Sequence, residues 1–409
     1  MSNFKQIDFI KEIYFNRMGG TENEKKAADI IIEKVRSLGG TATYEPFEVD
    51  YFDIDEASLC VLSGKKDYYI HVTGYGRTGC TPKDGIEAPF MYAGGGSDLE
   101  LEGCEGKIVF VNGIHHDLYK KLLDKKAAGF LTFDGSIFDD KNKTDLAVRA
   151  IKKNTAELGE LPGLLMRAAD ALKLVKDMPK TVKIKLQQRN VTLTSGNVVA
   201  EIPGTEIENE KMAFTAHYDS TRYSKGAWDN ASGCANLMSL YSYYIKNRPM
   251  RTVRFIWCGS EELGLLGSKA YVKAHKDELD EFVLGMNIDM TGTIIGNDIA
   301  CVSGDDAIKA FMQFCAAEIA FPVSVSTGVF PSDSTPFAHA GVPFVIFQRG
   351  GQGGMHSRND IITALSEESL RRTTEYIRFT SERMLNSKKF PAPRNIPQNI
   401  KEELDRYCK

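Results

Sequence analysis

His217, Asp229, Glu262, Asp289 and His356 are two imidazoles and three carboxylates, the donor types that hold divalent metals in hydrolytic sites. Two ions roughly 3.5–4 Å apart form the usual two-metal hydrolytic pair. Such a pair needs one carboxylate between the ions, then one imidazole and one further carboxylate for each. The five residues fill that inventory. Imidazole and carboxylate together suit zinc, with manganese or cobalt as substitutes. Singly, each residue has an ordinary explanation. A histidine can be structural, Asp229 before a helix can be an N-cap, Glu261-Glu262 can complement a helix dipole, and Asp289 can serve a turn.

What sets the five apart is where they fall. KMAFTA runs into His217-Tyr218-Asp219, TVRFIWC into Gly259-Ser260-Glu261-Glu262, and FVLGMNI into Asp289, while GVPFVIF leads through a glycine loop to His356. Asp229 lies between the first two, in GAWDNASG, just ahead of a helical stretch. In open α/β sheets the ligand crevice lies outside the carboxyl ends of the strands. The other histidines, 71, 115, 116, 275 and 339, have no comparable context.

The elements that must carry these ends alternate in type. From about 190, strands alternate with helical periodicities over 231–246, from about 262, over 305–319 and over 366–385. This pattern predicts an α/β fold with a mixed, mostly parallel sheet flanked by helices. The N-terminus predicts a helix over 4–14 and a second one opening at Thr21. There Thr21 and Glu24 form a T-x-x-E capping box, and Gly39-Gly40 ends the helix. Residues 48–188 change character, with short strands such as YYIHV and KIVFV and one helix over about 117–128. The expected organisation is therefore a discontinuous domain of 1–47 and 189–390, an inserted mostly β module at 48–188, and a peripheral tail at 391–409.

Composition sets the outer bounds. The chain has 409 residues, 42% hydrophobic and 26% charged, which is ample for a sizeable core. A net charge of −4 with no basic stripe excludes an ordinary nucleic-acid binder. The opening MSNFKQIDFIKEIYF has no apolar h-region, and no run is long enough to span a membrane. Eight cysteines without a CxxC pair fit a reducing cytoplasm. Gly74 to Gly79 matches GxGxxG, but Pro82, Gly85 and Pro89 follow where a dinucleotide site needs a helix, so it reads as a glycine-rich loop. P-loop, HExxH and GxSxG patterns are absent.

AHYDS (216–220), GAWDNASG (226–233), GSEELGLLGS (259–268), NIDMTG (287–292), SDSTPFAHAGVP (332–343) and HSRND (356–360) resemble the successive motifs of M28 zinc aminopeptidases. So does the opening RMGGTENEKKAADIIIEKVRSLGG (17–40), and the resemblance covers about 1–45 and 190–388. GKIVFVNG, AAGFLTFDG and PGLLMRAADALKL are similar to the protease-associated domain often inserted in that family. The resemblance implies that His217 and Asp289 hold one zinc, Glu262 and His356 the other, and that Asp229 bridges both. Glu261 would be the general base, since it neighbours a ligand without being one. Asp219 would orient His217, and Asp360 would do the same for His356. The implied activity is release of N-terminal residues from unblocked short peptides by water shared between the ions, with no nucleic-acid or membrane partner and homo-oligomers compatible.

The sequence departs from the family in one place, where Ser334 stands at a position that is histidine in many members. Tyr218, Tyr223 and the 327–333 loop are candidate donors to the oxyanion. Trp228 either walls the site or packs in the core. Three rivals share the motifs: a one-zinc glutaminyl cyclase-like acyltransferase, a carboxypeptidase, and a receptor-like relative without catalysis.

Overall fold

The computed structural model describes residues 4–64, 66–351 and 353–408; residues 1–3, 65, 352 and 409, which include the outer ends of the expected segments, lie outside that description. The chain divides into two compact units, Met1–Val49 with Leu193–Lys409, and Asp50–Thr192. Both divisions fall inside strands, Thr43–Leu62 and Thr181–Ile202.

In the first unit we label the strands β1 (Thr181–Ile202, from Leu193 onward), β2 (Ile207–His217), β3 (Arg251–Cys258), β4 (Phe282–Ile288), β5 (Asp298–Ser303), β6 (Val323–Thr327) and β7 (Phe344–Arg349). They lie side by side in the order β6-β5-β7-β4-β2-β3-β1. The central four, β7, β4, β2 and β3, are mutually parallel. β1 and β5 run antiparallel to their inner neighbours. Because the central strands point the same way, their carboxyl ends share one edge. From β2 the chain moves first to β3 on one side and then to β4 on the other, so the order reverses there and leaves a crevice.

The residue pattern explains why the sheet has helices on both faces. Every residue of β3 is buried, as a parallel strand covered on both sides requires. Alternate residues face opposite cores. Met212, Phe214, Val253, Phe255, Trp257, Leu284 and Met286 point to one. Ala213, Ile256, Cys258 and Phe344 point to the other. The first core is closed by α1 (Gln6–Ile13), α2 (Glu22–Ser37), α3 (Ser232–Tyr244), α5 (Asp306–Glu318) and α7 (Glu367–Leu385). The second is closed by α4 (Leu266–Ala274) and α6 (Ser334–His339).

Asp50–Thr192 is a second sheet. Ile86–Tyr92, Ile108–Phe110, Gly129–Asp134 and Gly163–Arg167 are successively parallel, and Val72–Gly74 pairs antiparallel with the last. Helices His116–Asp124 and Ala168–Asp177 and the short Lys153–Ala156 belong to this unit, where one helix was expected, and strand residues still outnumber helical ones among the described residues. The GxGxxG segment is a loop here: a Cβ on Gly76 would enter the Phe52 ring. All eight cysteines are free thiols, and no helix among the described residues is long and apolar enough to cross a membrane.

Three expectations differ in detail. β5 and β6 carry no sequence signal strong enough to be read. The helix expected from about 262 is a single 3₁₀ turn, Glu261–Leu263, followed by α4. The tail is not a loose appendage, because α8 (Gln398–Cys408) buries Ile400 and Leu404, which join Ile396 and Ala338 in a small core. Leu404→Ala is therefore expected to cost about 2–3 kcal/mol, the lower part of the range for buried leucines. The shift of the urea midpoint measures it; a change below about 0.5 kcal/mol, as for a surface residue, would restore the appendage reading.

Candidate metal centre

The shared strand edge places the five sequence-selected donors together. His217 is the last residue of β2, Glu262 follows β3 in the 3₁₀ turn, Asp289 follows β4, and His356 stands in the loop after β7. His217 pairs in register with Cys258 and Thr215 with Asn287, which brings the ends of β2, β3 and β4 level. Asp229 comes from the turn before α3, and its peptide bond to Asn230 is cis.

The donors form two groups that share Asp229: His217, Asp229 and Asp289, and Asp229, Glu262 and His356. His217 Nε2 is 3.0 Å from Asp229 Oδ1 and 3.4 Å from Asp289 Oδ1. His356 Nε2 is 3.0 Å from Asp229 Oδ2 and 3.2 Å from Glu262 Oε2. Asp229 thus turns one oxygen to each group. Glu261 belongs to neither, and its Oε2 stands 4.0 Å from His217 Nε2.

This donor set fits divalent ions. Ligands about 2.0–2.1 Å from a tetrahedral ion stand about 3.3 Å from one another, and the four separations here run from 3.0 to 3.4 Å. Asp289 Oδ1 and Glu262 Oε1 are buried with no hydrogen-bond partner. The electrostatics also call for cations. Burial, reinforced by Asp229, pushes Glu262 up to about 7, and Asp229 and Glu262 in turn push His356 up to about 10. Burial pulls His217 down, but Glu261 and Asp289 outweigh it and hold that imidazole well above its usual range. Burial also raises Asp229, yet the two histidines outweigh it and bring that carboxyl down.

Around the donors, other polar groups hold backbone. Asp219 lies 3.3 Å from His217 Nδ1, near it as expected but without hydrogen-bond alignment. Its carboxylate accepts instead from the amides of Glu261 at 3.0 Å and Glu262 at 3.1 Å. Asp360 accepts from the amides of Trp228 at 2.7 Å and Asp229 at 3.0 Å, so it braces the bridging residue where the sequence reading had it serving His356. Asn230 ties this turn to β4, donating to Ile288 O and accepting from Met290 N. Ser332 donates to Asp289 Oδ2 at 2.7 Å. Tyr218, a candidate oxyanion donor, is fully buried and donates its hydroxyl to Gly196 O at 2.6 Å, which removes it from that role; Tyr223 is exposed. Trp228 packs against the main core and closes on Gly351.

Sequence reasoning did not foresee the structural roles of Asn230, Ser332 and Arg17. The first two lie inside quoted motifs, one residue from a donor and two before the Ser334 departure, and a hydrogen-bond inventory of those turns would have raised them. Arg17 opens the quoted 17–40 motif, but nothing in the sequence showed that its side chain is buried. It is fully buried and donates to the carbonyls of Ile13, Phe15, Tyr218, Lys225 and Gly226, which locks the segment between His217 and Asp229.

Residues 197–381 match the model of Peptidase family M28. Aminopeptidase YwaD of Bacillus subtilis (strain 168) is 26% identical over an alignment taking in 97% of this chain and 87% of that protein. Carboxypeptidase Q of Homo sapiens is 23% identical over 76% of this chain and 69% of its own. Among solved structures, BSAP, a zinc aminopeptidase from Bacillus subtilis, aligns at a TM-score of 0.80 over 97% of this chain and 98% of its own, with 23% identity. An aminopeptidase from Aneurinibacillus sp. strain AM-1 aligns at 0.76 over 95% of each chain, with 20% identity. These two structural likenesses establish the fold.

Arg17→Met keeps the apolar stem and leaves its carbonyls without their charged donor. It is expected to lower the stability of the metal-free protein by about 3 kcal/mol or more, given the strength of hydrogen bonds to charged groups. Urea unfolding measures the loss, and a change below about 1 kcal/mol would mean that water replaces the guanidinium.

Proposed function

We propose, from the match of residues 197–381 to the model of Peptidase family M28, that this chain is a zinc aminopeptidase that releases single N-terminal residues from short unblocked peptides. The observation that carries this reading is the bridging attitude of Asp229, one oxygen toward each imidazole–carboxylate group, with Glu261 beside both and part of neither. His217 and Asp289 would hold one ion, Glu262 and His356 a second, and Asp229 both. Zinc bound there supplies Lewis acidity that polarises a scissile carbonyl and lowers the pKa of water.

The chain's own residues do the rest. Glu261 takes the proton of the attacking water onto its carboxylate and hands it to the leaving amine. The short turn between Ser260 and Leu263 keeps Glu261 and Glu262 adjacent but separately aimed, one for proton transfer and one for coordination. A free α-amine entering this acidic site would be drawn by its surplus of carboxylate charge, with Glu261 the acid outside both donor groups, which would fix the first residue with its carbonyl over the centre. An acetylated amine loses that charge and gains bulk. The likeness to aminopeptidase YwaD supports this direction of reading. For Asp50–Thr192 the protease-associated assignment is supported by its three quoted motifs forming consecutive parallel strands.

A chelator is expected to abolish activity and Zn²⁺ to restore it, with two ions per active chain by elemental analysis. Full turnover by metal-free protein would overturn the reading, and one ion per chain with amide cyclisation would favour the cyclase alternative. Glu261→Gln should lower kcat roughly 10²–10⁴-fold, the scale of a positioned acid–base group, and retain both ions, whereas Asp229→Ala should weaken both sites.

Free and N-acetylated forms of the same short peptides decide which end is read. Free forms are expected to lose their first residue and acetylated forms to resist. Release from the carboxyl end would favour the second reading, a carboxypeptidase, toward which the likeness to carboxypeptidase Q points.

A further inference from the structure

We propose that Glu24, in the first turn of α2, is a positioning residue for Glu261. The proposal rests on the reading of Glu261 as the general base. In sequence Glu24 looks like half of a capping box with Thr21. The Thr21 hydroxyl does accept from Glu24 N at 3.3 Å. The return bond of the box is not made, since Thr21 N donates to Met18 O at 3.1 Å. Glu24 Oε2 accepts from Gly20 N at 2.6 Å. Oε1 reaches across to the turn after β3, accepting from Ser260 N at 2.8 Å and Ser260 Oγ at 3.1 Å, and from Ser195 Oγ at 2.9 Å. A glutamate that only caps a helix sits at the surface; Glu24 is 1% exposed.

The target of this reach is the residue immediately before the base. Ser260 has φ 51° and ψ 38°, in the left-handed region that a side-chain-bearing residue avoids. It opens a run of three consecutive amides. Ser260 N donates to Glu24, and the amides of Glu261 and Glu262 donate to Asp219. A left-handed residue leading into a 3₁₀ turn aims successive N–H groups into one concavity, and two buried carboxylates fill it. Asp219 holds the two amides of the acidic pair. Glu24 alone holds the amide and hydroxyl of Ser260. Rotation at Ser260 would swing the Cα–Cβ bond of Glu261, so holding Ser260 in its left-handed conformation aims the base.

Two glycines show that this approach is built in. A Cβ on Gly19 would lie 2.5 Å from Ser260 Oγ and 3.0 Å from Leu263 Cδ1. A Cβ on Gly259 would lie 2.6 Å from Ser195 Oγ and 3.0 Å from Glu24 Oε1. A side chain at either position would push the N-terminal segment off the turn.

The test is Glu24→Gln, which keeps the shape but turns an NH₂ toward one of two backbone donors that cannot reverse. The expected result is a kcat lower by roughly 10–10²-fold, the scale of a misplaced catalytic group, with KM within about twofold and full zinc content. In the Glu261→Gln background the same change should alter kcat by less than about twofold, because residues acting as one unit do not add. Thr21→Ala is the structural control, since it removes the helix cap and should lower Tm without moving kcat. Hydrogen exchange in the metal-free protein reads the bond directly: the Ser260 amide should exchange roughly tenfold faster or more in Glu24→Ala, which removes the acceptor outright. That measurement needs no turnover, so it separates failure of this proposal from failure of the peptidase reading. If Glu24→Gln does not fold, Glu24→Asp keeps the charge, is too short to span Gly20 N and Ser260 N together, and should show the same signs more weakly. Wild-type kcat in Glu24→Gln, a full additional loss in the Glu261→Gln background, or unchanged exchange at Ser260 would each overturn the proposal.

Discussion

Asp229, Glu261, Glu262 and Asp289 crowd their largely buried carboxylates around one buried imidazole, His217, and one half-exposed imidazole, His356. Burying like charges together is among the costliest arrangements a fold can hold. The strain shows in the groups themselves. Burial raises Glu262 and Asp333 to about 7 each, and both histidines are driven toward their charged forms by the acids they face. Protons on His217 and His356 are one source of compensating charge. Divalent ions on the same atoms would be a denser one, and they would occupy carboxylate oxygens that have no protein partner. Much of the surrounding structure keeps this cluster from relaxing apart.

The means is consistent from one element to the next. Acids outside the donor groups grip the backbone of acids within or beside them. Asp219 holds the amides of Glu261 and Glu262, Asp360 holds those of Trp228 and Asp229, and Glu24 holds that of Ser260. Two amides compensate such an acid only in part, since burial still pushes Glu24 up to about 8 and raises Asp360, but these braces add rigidity from outside the donor groups. They act through the main chain, and the buried Oε1 of Glu262 keeps no protein partner. Ser332 works differently, donating its hydroxyl to the Asp289 side chain at Oδ2 and leaving Oδ1 without a partner, and it is itself positioned by Asn287, which donates to it and accepts from Thr215.

The donor residues were legible in sequence because their types are few and the strands that carry them end abruptly. A buried parallel strand is a run of apolar residues, and whatever polar residue follows it marks the edge. Other features left weaker traces. β5 and β6 hold serines, an aspartate and exposed positions, as strands toward one side of a sheet can, and lack the apolar runs of the centre. The unit boundaries fall inside continuous strands, so no linker composition marks them. Asp219 and Asp360 were noticed, yet assigned to imidazoles, because sequence spacing says which residues are near and not which way a carboxylate turns. Glu24 matched a capping motif correctly at its amide, and its side chain was spent elsewhere. A local motif accounts for local donors; a buried acid answers to whatever donors the tertiary fold brings to it.

The turns at this edge meet a further demand. A chain leaving a strand must redirect its next side chains toward the centre within a residue or two, and a left-handed residue does this in one step. Ser260, Leu265, Met290 and His356 all take positive φ, although none is glycine. Each such residue costs roughly 1–3 kcal/mol. Glycine would adopt the conformation freely, but it would release the neighbouring acid to wander and, at 356, would carry no imidazole. The structure keeps the side chains and fastens the amides instead. Ser260 N donates to Glu24, Met290 N to Asn230 Oδ1, and Leu265 N to Glu261 O. Holding the amide confines the backbone to the costly conformation, and the acid beside it inherits a fixed direction. The price of strain at the strand edge is thus tied to the aim of Glu261 and Asp289, the two acids that directly follow or precede these residues.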